Sequence, residues 1–127
     1  MPVNEPIAFF NGQLLPETNV GISIRDRGFL YGDAVFDATR TFHGKTFKLE
    51  EHVDRLFNSL HYLRIDPRIT KEEIIRWSLK VVGHNYPLLP DGQDLWVMQR
   101  ISRGLESSTN TTTVSYTHLT LPTNREV

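Results

Sequence analysis

Between Ala34 and Leu63 the chain changes its hydrophobic period, and this forces a strand to be followed by a helix. The stretch "AVFDATRTF" is rich in β-formers, and side chains along a strand alternate between its two faces. Phe36, Ala38 and Arg40 therefore share one face, and Val35, Asp37, Thr39 and Thr41 share the other. From Glu50 onward the spacing is different. Val53, Leu56, Phe57, Leu60 and Leu63 recur at three and four residues, which is one face of a helix.

The same reasoning extends to the flanks. "IAFFNGQLLP" is two short apolar runs joined by Asn11-Gly12, a pair that tolerates the positive φ angles of a tight hairpin. A short helical turn is expected near Asp26 to Tyr31. His43-Gly44 turn the chain into a returning strand, "KTFKL". Pro67 is expected to end the first long helix. Thr70 and Glu73 form a Thr-x-x-Glu capping box. A second helix follows on Ile74, Ile75, Leu79 and Val82, closed by Gly83. After a loop with two prolines, "DLWVMQRIS" is the last clear strand, and "LESSTNTTT" carries no pattern. This order predicts an α+β fold, a two-layer domain with a mainly antiparallel sheet and two helices. Only one strand returns after the helices, so the sheet looks incomplete.

At 127 residues with 23% charged residues, a net charge of -1 and no basic run, the chain gives no reason to expect a nucleic-acid or membrane partner. It has no cysteine, hence no disulfide framework and no thiolate chemistry. Without a signal-like start or a long apolar span, a cytoplasmic protein is expected.

Few residues announce chemistry. The row Phe36, Ala38, Arg40 can line a pocket whose arginine holds a carboxylate, or Arg40 can simply pair with a neighbouring acid. Arg55 lies one helical step off the apolar face, where an arginine either snorkels or grips an anion. The five histidines have no metal-ligand spacing, so no metal site is expected, and there is no glycine-rich phosphate loop or nucleophile elbow.

The joint pattern Arg-Gly, Tyr-Gly-Asp, Val-Phe-Asp and Glu-His-x-x-Arg-Leu, within "DRGFLYGDAVFDATRTFHGKTFKLEEHVDRLFNSLHYLRI", resembles the N-terminal domain of the fold-type IV pyridoxal-phosphate enzymes. That family includes branched-chain aminotransferases, D-amino-acid transaminases, (R)-selective amine transaminases and aminodeoxychorismate lyases. The resemblance covers roughly Ile7 to Gly104. It implies an enzyme that passes an amino group between an amino acid or amine and a 2-keto acid, with pyridoxal 5'-phosphate as cofactor and a homodimer as the working form. It assigns Arg55 to the cofactor phosphate, Phe36, Ala38, Arg40 and Met98 to the substrate pocket, and Tyr31 to a pocket across the dimer. Trp96-Val97-Met98 stands where branched-chain enzymes carry Tyr-x-Arg, and "RISRG" is closer to the D-amino-acid and amine transaminases. Two alternatives are a lyase of the same fold and a non-catalytic oligomerisation module.

The family's cofactor-bonding lysine has no match among Lys45, Lys48, Lys71 and Lys80, so the chain is expected to be an inactive piece of the enzyme. The ending "VSYTHLTLPTNREV" resembles a translated sequencing adapter. Residues 1–112 are accordingly expected to be a truncated natural domain and 113–127 a foreign, irregular tail. Exposed apolar surface should make the domain marginal and prone to aggregate.

Overall fold

The computed structural model describes residues 4–105 and 115–124. Strands β1 (Ile7–Phe10) and β2 (Gln13–Pro16) form a hairpin in which Phe10 pairs with Gln13. Both turn residues, Asn11 and Gly12, have positive φ (48° and 89°), the twist that suits a two-residue hairpin. Helix α1 (Arg27–Tyr31) starts at Asp26, whose carboxylate accepts from the Phe29 N–H, and stops at left-handed Gly32. Strand β3 (Ala34–Phe42) turns at His43-Gly44 into β4 (Lys45–Thr46), which is shorter than the expected "KTFKL".

Two long helices follow, α2 (Leu49–Leu63) and α3 (Lys71–Asn85), and then strand β5 (Gln93–Ser102). Both expected helix ends need correction. Helix α2 stops before Pro67, because Arg64 takes a left-handed conformation with φ 57° and its N–H bonds back to the Leu60 and His61 carbonyls. Helix α3 runs through Gly83 to Asn85 and on into a short 3-10 turn. There Asn85 repays the extension: its side-chain oxygen accepts from the Ile7 N–H and its amide donates to the Ile7 carbonyl, both at 2.9 Å. The Thr70–Glu73 capping box forms as expected.

The largest correction concerns the end of the chain. Residues 115–124 are not irregular but form strand β6 (Ser115–Asn124), and the sheet order is β2-β1-β6-β5-β3-β4 with antiparallel pairing throughout. The physical reason is composition. Threonine, tyrosine and leucine suit a pleated surface, and ten residues of β6 pair with β5 from Ser102↔Ser115 to Gln93↔Asn124. The lack of amphipathic helical period in this segment was no obstacle to a strand. The tail's remaining residues, 113–114 and 125–127, lie outside the described residues.

The two long helices pack on one face of the sheet. Phe9, Val35 and Ile101 from strands pack with Val53, Leu56, Leu60, Ile74 and Val81 from α2 and α3. A second cluster joins Val82 to Leu95 and Val97. Along β3 the odd-numbered residues are buried while Phe36 and Phe42 are exposed, so the alternation read from the sequence is the one the fold uses. No helix among the described residues is long and apolar enough to cross a membrane.

Candidate functional site

The face of the sheet away from the long helices carries the row read from the sequence. In the antiparallel register Phe36 lies opposite Arg100, Ala38 opposite Met98 and Arg40 opposite Trp96. Six side chains of two adjacent strands thus share one surface. The Arg100 guanidinium sits 5.0 Å from the Phe36 ring centre and that of Arg40 lies 4.1 Å from the Phe42 centre. Arg40 donates from Nε to the Thr41 carbonyl at 3.1 Å, and its Nη2 is buried without a hydrogen-bond partner among the described residues. A buried donor left unmade is costly, and an acceptor could relieve that cost only if the Arg40 side chain moved from over Phe42. Helix α1 borders the same surface: Gly28, Phe29, Ala34 and Arg100 line a cleft of about 360 Å³. Tyr31 ends that helix and is exposed.

Gly28 is fixed by what surrounds it. A β-carbon there would come within 2.8 Å of Asp26 Oδ2 and 2.9 Å of Ser102 Oγ. Those two groups are hydrogen-bonded to each other, and Ser102 Oγ also accepts from the Gly28 and Gly104 N–H groups. This network ties the start of α1 to the end of β5.

Arg55 is placed on the other side of β3, not in the row with Phe36. Its Nε donates to Asp37 Oδ2 at 2.7 Å and its Nη2 to Oδ1 at 2.9 Å, a bidentate grip. His52, one helical turn earlier, meets the same Oδ1 through Nδ1 at 2.8 Å, and the Ala38 N–H donates to it at 2.9 Å. An ionised carboxylate only accepts, so His52 Nδ1 carries the proton. Burial alone would push the Asp37 carboxyl up. The hydrogen bonds and charges of Arg55 and His52 outweigh it and hold the group below the ordinary aspartate value. The Asp37 side chain is 4% exposed, that of Arg55 68%. From Ala34 to Thr39 no described strand pairs the outer edge of β3, since β4 reaches only Thr41 and Phe42. Arg55 and the Phe36 row therefore flank one open edge.

The sequence-based site thus resolves into two parts: Phe36, Ala38, Arg40 and Met98 come together, and Arg55 stands across the edge strand from them. Asp37 and His52 were missed. A signal was present: an acid at a buried strand position needs a cation, and His52 and Arg55 fall three apart on one helix face.

Comparison with known proteins gives consistent relatives, although no family model matches the chain. The chain is 36% identical over 97 residues to a protein named "Putative branched-chain-amino-acid aminotransferase" from Methanocaldococcus jannaschii, covering 76% of this chain and 32% of that protein. It is 32% identical over 77 residues to a D-alanine aminotransferase of Staphylococcus aureus, covering 61% of this chain and 27% of that one. The chain therefore spans about a third or less of the length of these relatives. Among solved structures, a branched-chain aminotransferase from Thermoproteus uzoniensis, crystallised with norvaline, superposes with a TM-score of 0.78 at 20% identity, over 91% of this chain and 40% of that one. A branched-chain amino acid aminotransferase complexed with N-(5'-phosphopyridoxyl)-L-glutamate gives 0.77 at 22% identity, over 94% and 40%.

Proposed function

We propose that this chain, which has the fold of the small domain of the fold-type IV aminotransferases and is similar in sequence to branched-chain and D-alanine aminotransferases, forms one wall of a pyridoxal-phosphate site in such an enzyme. The observation that supports the reading is the presence of two arginines with uncommitted donors on opposite sides of one strand, Arg55 against Asp37 and Arg40 on the face that carries Phe36. Among the described residues, Arg55 has a guanidinium edge without a hydrogen bond, and Arg40 has a buried Nη2 without a partner. These donors suit the two anionic groups such a site takes, a cofactor phosphate and a substrate carboxylate.

In this reading Arg55 binds the phosphate and fixes the cofactor's position. Arg40 orients the substrate by its carboxylate. Phe36 and Met98 exclude water from the substrate side chain, and Ala38 leaves room for it. Tyr31, exposed at the end of α1, reaches a second subunit of a homodimer. When bound, pyridoxal phosphate supplies the electron sink and carries the amino group between amino acid or amine and 2-keto acid. The lysines of the chain lie elsewhere: Lys71 pairs with Asp54, Lys80 lies over Trp77, Lys45 is in β4 and Lys48 precedes α2. The chain unaided is accordingly proposed to be inactive in transamination.

The test uses pyridoxamine 5'-phosphate and unphosphorylated pyridoxamine, neither of which condenses with surface lysines. Binding is read from the fluorescence of Trp96, which lies on the open face, in a Trp77→Phe background. The phosphorylated compound should bind more tightly, and Arg55→Lys should erase the difference. Equal binding of both compounds to the parent chain would overturn the reading.

A further inference from the structure

We propose that Asp37 is the positioning residue for Arg55, holding its guanidinium so that the outward edge is presented to a phosphate, with His52 steadying the carboxylate. The inference rests on the reading of Arg55 as an anion ligand and adds to it a reason why that arginine is ordered before any anion arrives.

A guanidinium has two bidentate edges. Asp37 occupies the side edge, Nε with Nη2, at 2.7 and 2.9 Å. The end edge, Nη1 with the second hydrogen of Nη2, makes no hydrogen bond among the described residues, and the side chain is largely exposed. A free arginine loses much rotamer freedom when it closes on a ligand. Here that loss is met within the chain, because the pair anchors a long, solvent-facing side chain to a buried carboxylate.

The carboxylate is itself held. Oδ1 takes hydrogen bonds from His52 Nδ1, from Arg55 Nη2 and from the Ala38 N–H, while Oδ2 takes Arg55 Nε. The Ala38 bond matters because it fixes the acid to the backbone of the edge strand. Phe36 and Ala38, the proposed substrate wall, are the residues on either side of Asp37. One carboxylate thereby sets the phosphate ligand against the strand that carries the wall. The opposing effect is that Asp37 also offsets part of the charge of Arg55, and the experiment separates the two.

The experiment titrates inorganic phosphate onto the whole chain and follows the Arg55 Nε–H resonance by NMR, assigned through Arg55→Lys. Phosphate should shift this signal saturably. In Asp37→Asn the affinity should fall by about tenfold, the worth of one charge-assisted hydrogen bond. Asp37→Glu should recover part of it, which a merely structural role for the acid would not do. If Asp37→Asn does not fold, His52→Gln replaces it and should weaken phosphate severalfold with an unaltered circular dichroism spectrum. Phosphate binding as tight or tighter in a folded Asp37→Asn or His52→Gln chain would overturn the positioning role and make Asp37 a competitor for the fork. No shift of the Arg55 signal in the parent chain would instead remove Arg55 as an anion ligand, and the positioning role with it.

Discussion

Single residues in this domain are held by polar bonds that bridge distant segments, and their loss should be felt accordingly. Asn85 binds both backbone groups of Ile7, so Asn85→Ala leaves two buried groups unmade, at a cost of roughly 1–3 kcal/mol each. A lowered urea midpoint checks this. His118 is the opposite case. It is 1% exposed, edge-on to Phe9 with ring centres 5.1 Å apart, and neither ring nitrogen has a hydrogen-bond partner among the described residues. Burial pushes its pKa from 6.5 down to about 3, a shift the nearby Ile74 backbone only partly offsets. Between those values the unfolded chain binds the proton and the folded chain does not. The stability contributed by neutral His118 is therefore complete above pH 6.5 and is lost progressively as pH falls toward 3. His118→Leu should flatten the pH dependence of thermal stability in that window. Asp37 acts lower on the scale: its folded pKa lies below 3.8, so its contribution is intact above that value and disappears only beneath it.

Elements were legible where local chemistry decides them. Asn11-Gly12 set the hairpin, Thr70 and Glu73 set the start of α3, and strict alternation in β3 set which face carries Phe36, Ala38 and Arg40. Features that depend on packing were legible only in part: a buried acid signals that it needs a cation, not which one. The union of Asp37 with Arg55 joins residues 18 apart in sequence and exists only because α2 lies across β3. The end of α2 is a related case, since a left-handed Arg64 gives no sequence signal of the kind that glycine does. Here the fold suggests an improvement. Arg64→Gly relieves the left-handed strain and should raise stability by about 1 kcal/mol, read from chemical denaturation. Gly44→Ala should do the reverse, because its φ is +80° and a β-carbon would press within 2.7 Å of the Tyr86 ring.

The molecule as a whole is a sheet covered on one side. Phe36 at 56% exposure and Trp96 at 39% share the uncovered face, and Phe29 and Tyr31 are exposed on the neighbouring α1. A contiguous apolar surface of this kind promotes association. The chain should self-associate at rising concentration, and Phe36→Ser with Trp96→Ser should lower its light scattering without lowering its melting temperature. The sheet order carries one more consequence. Strand β6 separates β1 from β5, although it is the last described strand in the chain. On a ribosome the two halves of the sheet are made early and cannot be joined until their keystone emerges. Without β6 the β1–β2 hairpin would keep only its contacts with α3, led by Asn85, so the order of synthesis leaves its place in the sheet to be settled last.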